Sequence, residues 1–168
     1  MKVVLSSGEM RVACHHAADR YISSIEKGRR PKMNFTQPAD RTSVDFISCM
    51  AELAFAKAKN LYWSGITGLG DNDVGPYEVR ATSYQNGKLV VGEKDPDNKL
   101  VVLVVCNPPE FNIVGFIEAK KAKHPKYHFS NDRGWCWMVP QDHLELFDED
   151  KVKQVSSMGE DEWLFDLP

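Results

Sequence analysis

The first half of the chain alternates apolar and polar residues at the spacing of α-helices. A short apolar segment, KVVL at 2–5, predicts a strand, and SSGE at 6–9 has the Ser-x-x-Glu spacing of a capping box. Apolar residues then recur every three or four positions up to about Glu26, and again from about Ser43 to Asn60, which predicts two amphipathic helices. Residues 28–41 contain two prolines and no periodicity, so we expect a loop there.

From Tyr77 onward the pattern changes to that of β-strands. Turn sequences separate four apolar segments, YEVRATS, KLVVGE, KLVVLVVC and FNIVGFIEA, and Asn86-Gly87 is the strongest hairpin signal among them. These turns predict consecutive antiparallel strands, with the uninterrupted apolar run 100–106 as a central strand covered on both faces. WCWMV at 135–139 adds a last strand or rim segment. The order of elements predicts an α+β fold in which the N-terminal helices pack on a central sheet.

Composition indicates one domain that stays in the cytoplasm. At 168 residues, 42% hydrophobic and 27% charged, the chain is long enough for one buried core, so we expect a single domain over 1–168. No apolar stretch has the length of a secretory signal or a membrane span, which predicts no membrane partner. The four cysteines lie in apolar segments without metal-binding or disulfide spacing, and we interpret them as reduced core thiols.

Charge is distributed unevenly along the chain. The net charge is −3, but residues 142–168 hold nine acids and two lysines, so this acidic C-terminal tail carries −7 and the remainder +4. A solvated tail is the simpler interpretation, and a tail that screens a basic cleft or mimics nucleic acid is the alternative. Two basic clusters are candidate nucleic-acid-binding segments or, alternatively, solvated loops. The first holds Arg29, Arg30 and Lys32. The second holds five cations interleaved with rings that can stack on bases: Lys120, Lys121, Lys123, Lys126 and Arg133, with His124, Tyr127, His128, Phe129 and Trp135.

The stretch DVGPYEVR at 73–80 gathers charges at the start of the first strand after the helices. Side chains two positions apart on a strand share a face, so Glu78 and Arg80 stand side by side. The Gly-Pro turn before them can return Asp73 to Glu78. Mg²⁺ prefers carboxylate oxygens together with water and substrate phosphate, and the helix residue Glu52 can add a third oxygen ligand. Such a metal polarises a phosphoryl group and activates an attacking water, as phosphodiester hydrolysis requires.

A plainer interpretation exists for the same residues. Asp73, Glu78 and Arg80 can form a surface ion-pair cluster that pins a hairpin, which is common and contributes little to stability. Glu52 can be a solvent-facing helix residue that pairs with Lys57 or Lys59.

Three parts of the chain together resemble the PD-(D/E)XK, or restriction-endonuclease-like, superfamily. They are Glu52 within AELAFAKA, the DVG segment, and Glu78-Val79-Arg80. The closest likeness is to its small phage and bacterial proteins with a DVG-x-x-EVR-T pattern, over roughly residues 45–140. The resemblance implies an α/β sandwich with a mixed central sheet, in which Asp73 and Glu78 bind metal and Glu52 is the helix acid. It also implies the Val79 carbonyl as a further ligand.

Arg80 departs from the pattern of that superfamily, which usually has lysine there. Arginine stays protonated at any accessible pH, so Arg80 cannot act as a general base. It can still orient a water or stabilise the charge of the transition state as a fixed cation.

These observations predict a Mg²⁺- or Mn²⁺-dependent nuclease, phage-encoded by the resemblance, that hydrolyses DNA phosphodiester bonds. Its catalytic residues would be Asp73, Glu78 and Arg80, and its metal ligands Glu52, Asp73 and Glu78. The alternative is a non-catalytic binding or inhibitory protein on the same fold, with a protein partner, favoured by Arg80 and the acidic tail. A structural subunit of a larger particle is a third hypothesis, and the sequence leaves a homo-oligomer open.

Overall fold

The computed structural model describes residues 1–28, 38–65, 72–131 and 134–147. Strand β1 (Lys2–Val4) leads into helix α1 (Ser7–Glu26), and helix α2 (Pro38–Lys59) follows. The predicted capping box is present at the start of α1. The Ser6 hydroxyl accepts a hydrogen bond from the Glu9 backbone N–H, and the Glu9 carboxylate accepts one from the Ser6 N–H. These two bonds satisfy donors that have no partner inside the first turn, and so they fix where the helix begins.

Helix α2 begins earlier than the sequence pattern predicts. The expected loop over 28–41 is wrong for its last residues, which are helical from Pro38; residues 29–37 lie outside the described residues. Proline is compatible with the first turn of a helix, because the N–H that it lacks has no partner there. A residue interpreted as a loop signal therefore starts the helix.

The two helices pack on each other and on a sheet through small side chains. Ala13 and Ala17 of α1 form a buried cluster with Cys49 of α2. On a neighbouring face of α2, Ala54 and Phe55 pack against the central sheet. Small residues let the backbones approach closely, so α2 lies directly over the strands that carry the candidate site.

Beneath α2, four strands form a mixed sheet in the order β1-β5-β4-β2. Its longer members are β2 (Tyr77–Thr82), β4 (Leu100–Asn107) and β5 (Glu110–Glu118). Strand β4 pairs antiparallel with β5 and parallel with β2, and β1 pairs antiparallel with β5. The prediction of helices packed on a mixed, largely antiparallel sheet is confirmed.

The opposite face of the central sheet is covered by a second, antiparallel sheet. It consists of β3 (Leu89–Val91), β7 (Gly134–Val139) and β6 (His128–Asn131), in the order β3-β7-β6. A short helix α3 (Ala119–Ala122) connects β5 to this sheet. Strand β4 is buried on both faces, as predicted: Val102 and Val104 belong to the core under α2, and Val101 and Leu103 to the core under the small sheet.

The predicted meander of consecutive antiparallel strands is wrong, except between β4 and β5. Asn86-Gly87 does lie in a turn, where the Gly87 N–H donates to the Tyr84 carbonyl at 2.9 Å, but the strands on either side belong to different sheets. Strand β2 buries its apolar residues under α2, whereas β3 buries Leu89 and Val91 in the core on the other side of β4. Alternation identifies a strand and its buried face, but not the strand that it pairs with.

The beginning of the acidic segment is part of the fold. Glu145 exchanges two backbone hydrogen bonds with Phe116, of 2.8 and 2.9 Å. Phe147 packs its ring against those of Phe55, Tyr77 and Phe116. The interpretation of 142–168 as a solvated tail is therefore wrong where Leu144 and Phe147 pack on the core, although Leu146 between them is exposed. Residues 148–168 lie outside the described residues.

In the described part of the chain, none of the helices has the length and apolar character needed to cross a membrane. All four cysteines are unpaired, and two of them, Cys49 and Cys106, are buried. Burial raises the pKa of the Cys49 thiol to about 12 and that of Cys106 to about 11. These two thiols are core residues, as predicted, and a raised pKa keeps them protonated.

Candidate functional site

The candidate site lies at the edge of the central sheet, along strand β2. Among the described strands, β2 has a neighbour on one side only, so part of its backbone is unpaired. Asp73 occupies this open side, where one carboxylate oxygen, Oδ2, accepts the Val79 N–H at 2.9 Å. Gly75, at a φ of +51°, reverses the chain between the two, a conformation that glycine adopts readily. The turn thus returns Asp73 to strand β2 at the Val79 N–H, and the predicted contact of Asp73 with Glu78 stays a prediction.

Glu78 and Arg80 stand side by side on one face of β2, as the strand period predicts. Arg80 donates a hydrogen bond through Nη1 to Glu78 Oε1 at 2.7 Å. Arg80 also donates through Nη2 to both carboxylate oxygens of Asp95, each at 3.1 Å. The second oxygen of Glu78 accepts from Lys99 Nζ at 2.8 Å. Glu78 is therefore held by two cations at once.

Glu52 is buried and paired with a residue of α1. The residue is only 3% exposed, and its carboxylate accepts hydrogen bonds from both terminal nitrogens of Arg20, at 2.7 and 2.6 Å. The indole N–H of Trp63 donates to it at 2.9 Å. Burial lowers the pKa of Arg20, but its hydrogen bonds to Glu52 and the charge of that group raise it by more. Glu52 is thus not solvent-facing, and Lys57 pairs with Glu9 instead.

The three acids approach the edge of β2 from different directions. Tyr77 and Val79 pack under α2, so Glu78 projects from the opposite face of the sheet, while Glu52 comes from α2 itself. Asp73 lies at the edge between them. Burial, followed by the negative charges of Glu52 and Glu78, raises the pKa of Asp73 to about 6, although the Val79 N–H opposes that rise.

The arrangement differs from a ready-made set of three metal ligands. Across the described ranges, no three histidine, cysteine, aspartate or glutamate side chains are grouped so that they could hold a metal ion. Glu52 and Glu78 already bind cations, whereas no ion pair joins Asp73 to a described cation. Mg²⁺ needs only one or two carboxylates when water and phosphate complete its shell. Both oxygens of Glu78 are occupied by Arg80 and Lys99, so Asp73, Glu78 and Glu52 as metal ligands stay a prediction.

The predicted nucleic-acid-binding cations differ from one another in whether they form ion pairs. Lys121 pairs with Glu145 at 2.7 Å, and Lys120 is exposed. Lys123 pairs with Asp97 at 2.7 Å and donates to the backbone carbonyl of Asp95 at 2.6 Å. Because the Asp95 side chain binds Arg80, Lys123 lies next to the candidate site. Arg29 and Arg30 lie outside the described residues, so their role stays a prediction.

Sequence reasoning missed Arg20, Asp95 and Lys99 as members of the site. A signal for Arg20 was present, since it continues the spacing of the buried residues Ala13 and Ala17 along α1, and an arginine on a buried stripe requires a partner. No such signal existed for Lys99. It precedes β4, and it reaches Glu78 because β4 runs parallel to β2, a pairing that the sequence does not show.

No protein-family model matches the chain, and searches of curated proteins and of solved structures also gave no match. The resemblance to the PD-(D/E)XK superfamily accordingly depends on the residues quoted for it.

Proposed function

We propose that the protein is a Mg²⁺- or Mn²⁺-dependent nuclease of restriction-endonuclease-like fold that hydrolyses DNA phosphodiester bonds. The observation that carries this proposal is the position of Asp73, a partly buried carboxylate near two other carboxylates and without an ion pair to any described cation. Excess negative charge in a partly buried place favours a bound cation. The DVG-x-x-EVR resemblance points to the same chemistry.

Each group at the edge of β2 has a part in this proposal. Asp73 and Glu78 would hold the ion, which when bound supplies a Lewis acid for the phosphoryl group and its attacking water. The Val79 N–H fixes the orientation of Asp73. Arg80 is fixed by Glu78 and Asp95, yet 34% of its side chain is exposed, so it places a permanent positive charge where a phosphate can approach.

Cleavage assays with matched variants test the proposal. Supercoiled plasmid and single-stranded DNA are incubated with the protein in Mg²⁺, in Mn²⁺ and in EDTA. Nicking or degradation should require the metal and disappear in Asp73→Asn and Glu78→Gln. Glu110→Gln is the control, because Glu110 is an exposed acid at the start of β5. The proposal fails if the wild type cleaves neither substrate with either metal, or if Glu78→Gln cleaves as well as the wild type.

A non-catalytic binding or inhibitory protein on this fold is the second candidate function. The observation in its favour is that Glu78 divides its two oxygens between Arg80 and Lys99, while Glu52 is bonded by Arg20 and Trp63. A network satisfied in this way is stable without a metal. Calorimetric titration with Mn²⁺ that shows no binding, together with a stoichiometric protein complex in a pull-down, would select this function.

A further inference from the structure

A cavity of about 210 Å³ opens on the small antiparallel sheet, which carries none of the acids of the candidate site. Four of its lining residues are cationic or can become so: Lys88, Lys126, His128 and His143. No aspartate or glutamate is among the described residues that line it. Small-molecule sites usually measure roughly 300–1,000 Å³. This cavity therefore suits one small anionic group with part of a ring, rather than a whole enclosed ligand.

Hydrogen bonds from one side chain fix the first wall of the cavity. Gln141 donates through Nε2 to the carbonyls of Gln85 and Gly87, at 2.9 and 3.0 Å. These contacts hold the turn before β3 against the segment after β7. Because β3 and β7 are paired, Lys88 at the start of β3 lies beside Pro140, the residue after the end of β7. The position of Lys88 is thus determined by the fold.

The second wall is the turn before β6 and the first residues of that strand. Tyr127 is only 8% exposed and anchors this wall, with its ring centroid 5.6 Å from that of His143. The ammonium group of Lys126 lies 4.6 Å from the centroid of the Tyr127 ring. Phe129, in contrast, lines the cavity and is 40% exposed, so part of its side chain is open to solvent.

The two lysines of this cavity, Lys88 and Lys126, are not neutralised by the described acids. No ion pair within the described ranges involves Lys88, Lys126, His128 or His143, although Lys99, Lys121 and Lys123 are all paired elsewhere. Unneutralised cations beside an exposed aromatic ring complement a phosphate joined to a flat, unpaired base. An acidic peptide matches the charges but leaves the ring unused.

We propose that this cavity binds one nucleotide unit of single-stranded nucleic acid, with its phosphate at Lys88 and Lys126 and its base against Phe129. The site requires no metal and none of the acids near Asp73. It therefore goes beyond the proposed nuclease activity and can be tested separately from it.

Fluorescence anisotropy in EDTA tests the proposal, with a fluorescein-labelled oligo-dT of about twelve nucleotides, a length within the span of single-strand sites. Replacing both Lys88 and Lys126 by alanine should weaken binding by about tenfold or more and reduce the salt slope by about 1.4, the value for two lost phosphate contacts on a single strand. Phe129→Ala should weaken binding by at least about fivefold without changing the salt slope, since stacking contributes about 1–3 kcal/mol. The control Lys94→Ala, at another exposed lysine, should bind as the wild type.

Three results would overturn the proposal. The first is a wild-type protein that does not bind the oligonucleotide, and the second is a double lysine variant that binds it unchanged. The third is displacement of the oligonucleotide by inorganic phosphate, or by a peptide of residues 148–168, as effectively as by unlabelled oligo-dT, which would assign the cavity to simple anions or to acidic protein. This binding is measured in EDTA, whereas the proposed cleavage requires a metal, so failure here is distinct from failure of the nuclease proposal.

Discussion

Replacing Asp73 by asparagine tests how the negative charge of Asp73 affects stability. Asp73 is the one acid at the sheet edge that forms no ion pair with a described cation. Asparagine keeps an oxygen that can accept the Val79 N–H, so the turn geometry is preserved. The substitution removes the negative charge and replaces the other carboxylate oxygen with an amide NH2 group. Burial and then the charges of Glu52 and Glu78 raise the Asp73 pKa from its ordinary 3.8 to about 6.

The direction of the effect follows from proton binding. The folded protein holds the Asp73 proton more tightly than the unfolded chain does, so stability falls as pH rises from about 4 through about 6. A difference of about 2 pKa units corresponds to about 3 kcal/mol, and partial exposure reduces that figure to about 1–3 kcal/mol. We therefore expect Asp73→Asn to be about 1–3 kcal/mol more stable than the wild type near pH 8, and about equal to it near pH 4.

Urea unfolding followed by tryptophan fluorescence measures this difference, in EDTA and at several pH values. A variant that is less stable than the wild type near pH 8, or a difference that does not change with pH, would refute the reasoning. Repeating the measurement with Mn²⁺ adds a second comparison. If Asp73 binds the ion, the wild type should gain stability with metal and the variant should not.

Three further changes test the contacts that hold the site and its surroundings, each by urea unfolding. Arg20→Met leaves Glu52 buried without its cation and should cost about 3–5 kcal/mol, and a cost below about 1 kcal/mol would show that the pair is not buried in solution. Gly115→Ala places a methyl group 2.6 Å from the Glu145 carbonyl oxygen and should cost about 1–3 kcal/mol, with faster hydrogen exchange at the Glu145 amide; unchanged exchange would contradict the close packing there. Ser6→Ala removes the helix cap and should cost about 1 kcal/mol, whereas no loss would mean that the capping bond is not formed.

Features that depend on neighbouring residues were predictable from the sequence. The capping box at 6–9 and the end of α1 at Glu26 follow from local hydrogen bonding and periodicity. The hairpin between β4 and β5 follows from a turn directly between two apolar runs. Features that depend on distant partners were not predictable, because the parallel pairing of β2 with β4 and the transfer of β3 to another sheet leave no local pattern.

At the candidate site, too, contacts between neighbouring residues were predictable and contacts between distant residues were not. Glu78 and Arg80 share a face because strands have a period of two, and a Gly-Pro turn indicated the return of Asp73 to the strand. The pairing of Glu52 with Arg20 joins two helices across 32 positions of sequence, and Lys99 reaches Glu78 across 21. The sequence therefore indicated three of the four acids near the edge of β2, but neither Asp95 nor the cations that these acids bind.

The two candidate functions differ in what balances the charge at this edge. Four acids surround this edge from different directions, Glu52, Asp73, Glu78 and Asp95, and three cations are bonded to them, Arg20, Arg80 and Lys99. The remaining negative charge falls on Asp73, because the other three acids each accept from at least one cation. A nuclease would neutralise it with a divalent ion, whereas in a protein that binds no metal Asp73 would take up a proton only below its raised pKa of about 6. Since a metal lowers the pKa of a carboxylate that binds it, and a proton-holding site keeps it raised, titrating Asp73 with and without Mn²⁺ separates the two functions directly.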